Sequence, residues 1–205
     1  MNKKLPNSCK VVVFGGGVIG CSVAYHLAKF GWKDTILLER DQLTSGTPWH
    51  AAGLVRQLGP SAGITKIRKY TLDLYKELEK KVDHSAGLRL NGALSIAENQ
   101  GRWEELKRQA TTAQLYDVDV KIFDKESVKE KFPIVNVENV LGGIFMPGDG
   151  AADPSGVTHM LAKAARLEGA KIFEKSPVEK ILVKNGRIAG VRAVSYTHLT
   201  LPTKA

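Results

Sequence analysis

The sequence predicts an α/β fold built around a parallel sheet, and three observations carry that expectation. A continuous apolar run from Val11 to Phe14 leads into the glycine-rich turn "GGGVIG", a stretch with helical spacing follows, and a second apolar run, "TILLE", ends in an acid at Glu39. Strand, helix and strand within about thirty residues is a βαβ unit. The turn reads G-x-G-x-x-G at Gly15, Gly17 and Gly20. Each glycine serves a different need, a tight turn at Gly15, close approach of backbone to a pyrophosphate at Gly17, and helix-to-strand packing at Gly20. A helix opening at Val18 and Ile19 would aim its unbonded N–H groups and positive dipole end at phosphate oxygens. The unit is Rossmann-like.

Glu39 lies 19 residues after Gly20, where a carboxylate accepts from both ribose hydroxyls of an adenosine and disfavours a 2′-phosphate. FAD or NAD therefore fits better than NADP. Arg40 to Gly63 then reads as a long loop rich in Gly, Ser, Thr and Pro, and long loops in compact domains are usually functional. It contains "TSGTPWHAAG", with Trp49 and His50 side by side. On the residues alone, a single loop histidine such as His50 is more often a surface or hydrogen-bonding residue.

The remaining elements follow in order. Ile64, Ile67, Thr71, Leu74, Leu78 and Val82 recur at helical spacing and predict an amphipathic helix, with Tyr70 and Tyr75 as packing residues. "LRLNGALSIA", residues 88 to 97, reads as a strand or hairpin, followed by a helix near 99 to 115 and a strand at "VKIFD". "KESVKEKFP" is a short helix stopped by Pro133, and "VLGGIFMP" is another strand. Asp153 and Pro154 fit the N-cap and first position of a helix through "SGVTHMLAKAARLEG", on which His159 is structural or exposed. Asp149 and Asp153 read as a turn and a cap, not as a carboxylate pair. The strands "AKIFEKS", "VEKILVKNG" and "RIAGVRA" follow, with a hairpin turn at Asn185 and Gly186.

Composition narrows the function classes. The formal charge is +9 over 205 residues, but lysines and arginines are mixed with acids, as in "YKELEKKVD" and "DKESVKEKFP", and no basic stripe with interleaved aromatics suggests nucleic-acid binding. No run approaches the roughly 18 apolar residues of a membrane helix, and "MNKKLPNSCK" lacks a secretory signal's apolar region. Cys9 and Cys21 fit neither a disulfide framework nor a metal spacing, so no metal is expected.

The stretch "VVVFGGGVIGCSVAYHLAKFGWKDTILLERDQLTSGTPWHAAGLV" resembles the N-terminus of the dimethylglycine and sarcosine dehydrogenases, flavoproteins of the D-amino-acid-oxidase superfamily. The similarity continues through "NGALSIA", "KFPIVNVENVLGGIFMPGDGAADPSGV" and "GAKIFEKSPVEKI", covering about residues 9 to 194. The resemblance implies a Rossmann-like FAD-binding domain of the D-amino-acid-oxidase type with an inserted β-rich substrate domain, truncated at the C-terminus. Residues 9–83 would be the first part of the FAD domain, 84–148 the start of the substrate domain, and 149–194 the FAD domain continued and incomplete. Residues 195–205, "SYTHLTLPTKA", resemble translated adapter read-through and are expected to be a non-native tail.

In that family the histidine of the T-W-H-A-A-G motif carries FAD covalently on the 8α-methyl of the isoalloxazine. The resemblance therefore implies His50 as the attachment residue, and an imidazole nitrogen is a suitable nucleophile. It also implies FAD contacts at Val18, Ile19, Glu39 and Arg40, at Gly46, Thr47, Pro48, Trp49, Ala51, Ala52, Gly53 and Leu54, and at the backbone of Val178 facing the adenine. A plain strand valine fits Val178 equally well. Pro48 departs from the family's Thr or Ser, removing an N–H and biasing Thr47 toward extended backbone.

The implied reaction of the complete enzyme is oxidative N-demethylation of a methylated glycine by hydride transfer to flavin. Electron-transfer flavoprotein and folate would be its partners, and the mitochondrial matrix its compartment. The "TSG" and "LVRQL" flanks lean toward sarcosine. Catalytic residues are expected beyond residue 205. The alternatives are a non-catalytic relative, such as a pyruvate dehydrogenase phosphatase regulatory subunit, which lacks the Trp-His pair, and a fragment inactive because uncovered sheet edges and apolar faces remain.

Overall fold

The structure is a computed structural model that describes residues 5–193; the tail at 195–205 lies outside the described residues. The elements in order are β1 (Val11–Phe14), α1 (Val18–Lys29), β2 (Thr35–Leu38), a 3-10 turn (Pro48–His50), β3 (Leu54–Val55), α2 (Ala62–Lys81), β4 (Ala93–Ala97) and α3 (Gln100–Leu115). β5 (Lys121–Phe123), α4 (Lys125–Lys131), β6 (Gly142–Met146), β7 (Gly150–Ala151), α5 (Pro154–Leu167), β8 (Lys171–Phe173), β9 (Val178–Lys184) and β10 (Arg187–Ala193) complete the described chain. Two units emerge: one comprises the chain up to Ala52, Leu78–Ala86 and the chain from Asp153 onward, the other Gly53–Glu77 and Gly87–Ala152.

In the first unit β1, β2 and β8 form a parallel sheet with β2 central, Val11 opposite Thr35 and Ile36 opposite Lys171. β2 is buried along its whole length, as expected of a parallel strand covered on both faces. α1 buries Cys21, Ala24, Tyr25 and Ala28, the i, i+3, i+4, i+7 face of an amphipathic helix, and packs on α5. Alanines on the α5 side (Ala162, Ala164 and Ala165) are buried too. Burial pushes the Cys21 thiol up to about 12, with Arg166 opposing and Glu39 and Glu174 adding, so it is a packed, protonated thiol. As the sequence predicts, Asp153 caps α5, accepting from the N–H groups of Ser155 at 3.1 Å and Gly156 at 2.9 Å. β9 and β10 form a hairpin whose turn residues, Asn185 (φ 51°) and Gly186 (φ 72°), both take the left-handed conformation of a type I′ turn.

The second unit is organised by the antiparallel sheet β4-β6-β5, with β6 central and wholly buried. α3 closes over it, and Leu106, Ala110 and Ala113 join Ala97, Val118, Ile144 and Met146 in one core. Side chains cap both helices here: Asn99 accepts from Arg102 N–H at 2.9 Å and Asp124 from Ser127 N–H at 2.8 Å. The segment expected to be β-rich thus carries more helix than strand, because α3 and α4 supply the cover that its short strands need.

Gly53–Glu77, which the sequence pattern groups with the nucleotide-binding residues, falls in this unit, where β3 pairs antiparallel with β7. The expected stripe of α2 is buried at Leu74, Leu78 and Val82 but is not kept in the first turns of the helix. Ile64 and Ile67 are exposed, while Thr65 and Leu72 are buried. A local hydrogen-bond pair fixes the first turn: Thr65 Oγ1 accepts from Gly59 N–H at 3.0 Å and donates to the Ser61 carbonyl at 2.9 Å. Among the described residues no helix is long and apolar enough to cross a membrane.

Candidate functional site

The glycine turn starts where β1 ends. Gly15 takes φ +107°, a conformation that favours glycine, and donates to the Leu38 carbonyl of β2 at 2.9 Å. A Cβ on Gly20 would lie 1.9 Å from the Gly15 carbonyl oxygen, so α1 rests on the turn with no room for a side chain. α1 begins from Gly17 with no side-chain cap, unlike α3, α4 and α5, and has no acid in its first turn. The first N–H groups of α1, those of Val18, Ile19 and Gly20, have no acceptor within their helix; Cys21 N–H donates to the Gly17 carbonyl at 3.0 Å. Bare backbone, uncapped donors and a positive helix end together fit a pyrophosphate.

Glu39 closes the other side of the turn. Its carboxylate accepts from the N–H groups of Gly16 and, at 2.9 Å, Asp41. The connection from β8 to β9 laces onto the same segment. Ser176 N–H donates to the Glu39 carbonyl and Lys175 N–H to the Asp41 carbonyl, both at 2.7 Å, while Leu43 N–H donates to Glu174 Oε2 at 3.0 Å. Val178 follows two residues after Ser176, at the start of β9. Arg40 is exposed, with a 3.4 Å ion pair to Asp41 that solvent screens. Leu43, Glu174 and Ser176 give no signal in the sequence, since neither composition nor spacing ties residue 43 to residue 174.

The loop after Glu39 folds back onto the turn: Thr44 N–H donates to the Gly16 carbonyl at 3.3 Å. Pro48 is buried, its Cγ 3.7 Å from where a Cβ on Gly17 would stand. Pro48 opens the 3-10 turn, which is closed by His50 N–H to the Thr47 carbonyl and Ala51 N–H to the Pro48 carbonyl, each at 3.1 Å. Thr47 has φ −65° and ψ −28°, so the extended backbone expected before a proline is not what forms. The hydrogen bond from His50 requires a helical carbonyl at Thr47, and proline's fixed φ suits the first position of the turn. The turn packs on α5.

The Trp49 and His50 rings stack with centroids 3.6 Å apart at 32°, and both side chains are exposed. Gly46, Thr47, Ala51 and Ala52 are also exposed, while Gly53 and Leu54 belong to the second unit. Ile19, Trp49 and Leu54 are 77%, 63% and 67% exposed, large apolar groups left open at positions expected to contact the cofactor.

Asp149, read from sequence as a turn residue, is 2% exposed. Its Oδ1 accepts from Gln57 N–H at 2.8 Å and its carbonyl from Gly92 N–H at 2.9 Å. Burial pushes its carboxyl above the usual carboxylate range; the Gln57 N–H and the charges of Arg56 and Arg68 pull the other way without cancelling it. The folded chain therefore keeps a proton that the unfolded chain has lost, so this group's contribution to stability is full below about pH 4 and declines as pH rises through the folded value. Asp149→Asn keeps an acceptor for Gln57. Denaturant unfolding of the intact protein between about pH 4 and 6.5 should show the variant gaining on the wild type as pH rises; parallel curves would contradict the assignment.

Residues 10–201 match the family described as FAD dependent oxidoreductase. The chain is 39% identical over 196 residues to human sarcosine dehydrogenase, mitochondrial, covering 93% of this chain and 21% of that protein. It is 37% identical over 176 residues to human dimethylglycine dehydrogenase, mitochondrial, covering 86% of this chain and 20% of that protein. Among solved structures, L-proline dehydrogenase from P. horikoshii superposes with a TM-score of 0.85 at 28% identity, over 92% of this chain and 50% of that one. The chain thus spans about a fifth of the length of these curated relatives.

Proposed function

We propose that this chain, which belongs to the FAD dependent oxidoreductase family, forms the cofactor-holding part of a longer flavoenzyme that oxidises a small N-methylated glycine. The observation that carries this reading is the placement of His50. Its imidazole stands exposed on a 3-10 turn whose first residue, Pro48, abuts Gly17 of the phosphate turn. Val18, Ile19 and Gly20 would donate to the pyrophosphate, and the Glu39 carboxylate would accept from the ribose hydroxyls. The backbone of Val178 would meet the adenine, and His50 would hold the flavin end covalently. Bound FAD supplies the hydride acceptor, and the chain's own residues bind and orient it.

The relatives' names support an N-methylated glycine as substrate, and the "TSG" and "LVRQL" flanks favour sarcosine over dimethylglycine. By the same reasoning electron-transfer flavoprotein and folate are the proposed partners of the whole enzyme, and the mitochondrial matrix its proposed location. Anaerobic mixing of the intact, flavin-loaded protein with each amine tests the reading. Sarcosine should bleach the flavin absorbance with a kcat/KM about tenfold above that of dimethylglycine, the size of a one-methyl discrimination. Bleaching by neither amine would overturn the reading in favour of a non-catalytic relative.

A further inference from the structure

α1 and α5, packed on each other in the first unit, end alike. In α1 the Gly31 N–H donates to the Ala28 carbonyl at 3.0 Å and the Trp32 N–H to the Leu27 carbonyl at 2.9 Å, with Gly31 at φ +93°. In α5 the Gly169 N–H donates to the Arg166 carbonyl at 3.1 Å and the Ala170 N–H to the Ala165 carbonyl at 2.9 Å, with Gly169 at φ +106°. Both are Schellman ends, in which glycine takes the left-handed position and the residue after it closes the wider loop. The residue after the glycine is where they part: Ala170 is 4% exposed and Trp32 is 51% exposed. Closing the loop needs only a backbone N–H, so the cap does not explain the exposed half of the indole.

Other large apolar groups stand open at these two ends. Phe30, the C-cap of α1, is 74% exposed, and Leu167, the last residue of α5, is 61% exposed. The ends meet where a Cβ on Gly169 would lie 3.4 Å from the Lys33 Cβ. Glu168 sits among three lysines. Lys81 donates to it at 2.6 Å and, with the charges of Lys29 and Lys33, holds its carboxyl below the usual range. Asp34 accepts from the Lys10 N–H at 3.0 Å and has Lys10 beside it. The two helix ends add about half a negative charge each, which still leaves the three lysines in excess over Glu168. Large apolar groups and a positive excess thus share one surface. It lies at the end of the unit remote from the cofactor turn, since α1 starts at that turn and its 12 residues span about 18 Å.

We propose that this end of the first unit docks on an anionic phospholipid surface, with Phe30, Trp32 and Leu167 entering the headgroup layer and Lys29, Lys33 and Lys81 facing lipid phosphates. Tryptophan, phenylalanine and leucine beside lysine make up an interfacial surface, the apolar groups at the acyl boundary and the ammonium groups at the phosphates. The cations are lysines, point charges that demand no forked partner, and this suits a layer of mobile headgroups better than the fixed carboxylates of an acidic protein. A second copy of the chain would bring like charges together. The docking is peripheral, without a spanning helix, and leaves the glycine turn at the other end of α1 open to FAD. The inference goes beyond the proposed function and does not depend on the substrate.

The test is co-sedimentation of the intact protein with vesicles of phosphatidylcholine alone and of phosphatidylcholine mixed with phosphatidylglycerol. The mixed vesicles should bind about tenfold or more tightly than the neutral ones, and added salt should weaken the binding. Trp32→Ala keeps every charge, and Ala170 shows that alanine serves at the matching position of a Schellman end. This variant should fold, bind the mixed vesicles about tenfold more weakly, and lose most of the blue shift of tryptophan fluorescence that binding produces in the wild type. Lys33→Gln, at an exposed position, should weaken binding about fivefold, the share of one lysine near an anionic surface. No binding to the mixed vesicles, or equal binding to both kinds, would overturn the proposal. So would wild-type affinity in Trp32→Ala and Lys33→Gln, which would assign the binding to the overall positive charge of the chain and not to this surface. Binding to polyglutamate without binding to vesicles would overturn it in favour of an acidic protein partner.

Discussion

Gly20→Ala is expected to keep the intact protein from taking up FAD, because the phosphate contacts must form before His50 can attach the flavin. The added Cβ would stand 1.9 Å from the Gly15 carbonyl oxygen, a backbone atom that cannot rotate away. α1 must then lift from the turn by roughly 1 Å, and overpacking of this kind costs about 1–3 kcal/mol of stability. The larger effect falls on the cofactor. The N–H groups of Val18 and Ile19 are placed by the same contact, and each charge-assisted bond to a phosphate is worth about 1.5–3 kcal/mol. Loss of one or two such bonds lowers affinity on the order of a hundredfold. Gel filtration followed by absorbance should find the variant folded and colourless. A variant that stays yellow, with wild-type affinity for FAD, would show that α1 does not set the phosphate contacts.

The parts of the fold written in the sequence are those fixed by local chemistry. G-x-G-x-x-G locates the turn because Gly15 needs its φ and Gly20 its lack of a side chain. Asp153 and Pro154 locate the start of α5, and Asn185–Gly186 locates a hairpin, since caps and tight turns are decided by a few neighbours. What escapes is decided at a distance. The carboxylate of Glu174 on Leu43 N–H, the backbone bonds of Lys175 and Ser176 to Asp41 and Glu39, and the burial of Asp149 under Gln57 all join residues far apart in the chain. The first turns of α2 escape because Thr65, a polar residue, takes the buried position through hydrogen bonds while Ile64 and Ile67 stay exposed, although Leu74, Leu78 and Val82 are buried as the spacing predicts. Thr47 shows a local rule overridden: proline's bias on the preceding residue yields to the His50–Thr47 hydrogen bond of the 3-10 turn.

His50→Ala should separate attachment from binding. The glycine turn and Glu39 are untouched by the change, so the native variant should still take up FAD through its adenosine and phosphate contacts. Only the link through the imidazole is removed, and removal is all-or-none. This contrasts with Gly20→Ala, which should fail to take up flavin in the first place. The Trp49–His50 stack, with centroids 3.6 Å apart, breaks in the alanine variant at little cost to the fold, since both rings are exposed.

The most direct measurement is a denaturing gel of the intact protein viewed under ultraviolet light before staining. Covalent attachment at His50 predicts a fluorescent wild-type band and a dark band for His50→Ala, even though both proteins are yellow before denaturation. A dark wild-type band, with all flavin released into the supernatant on denaturation, would contradict the assignment of His50.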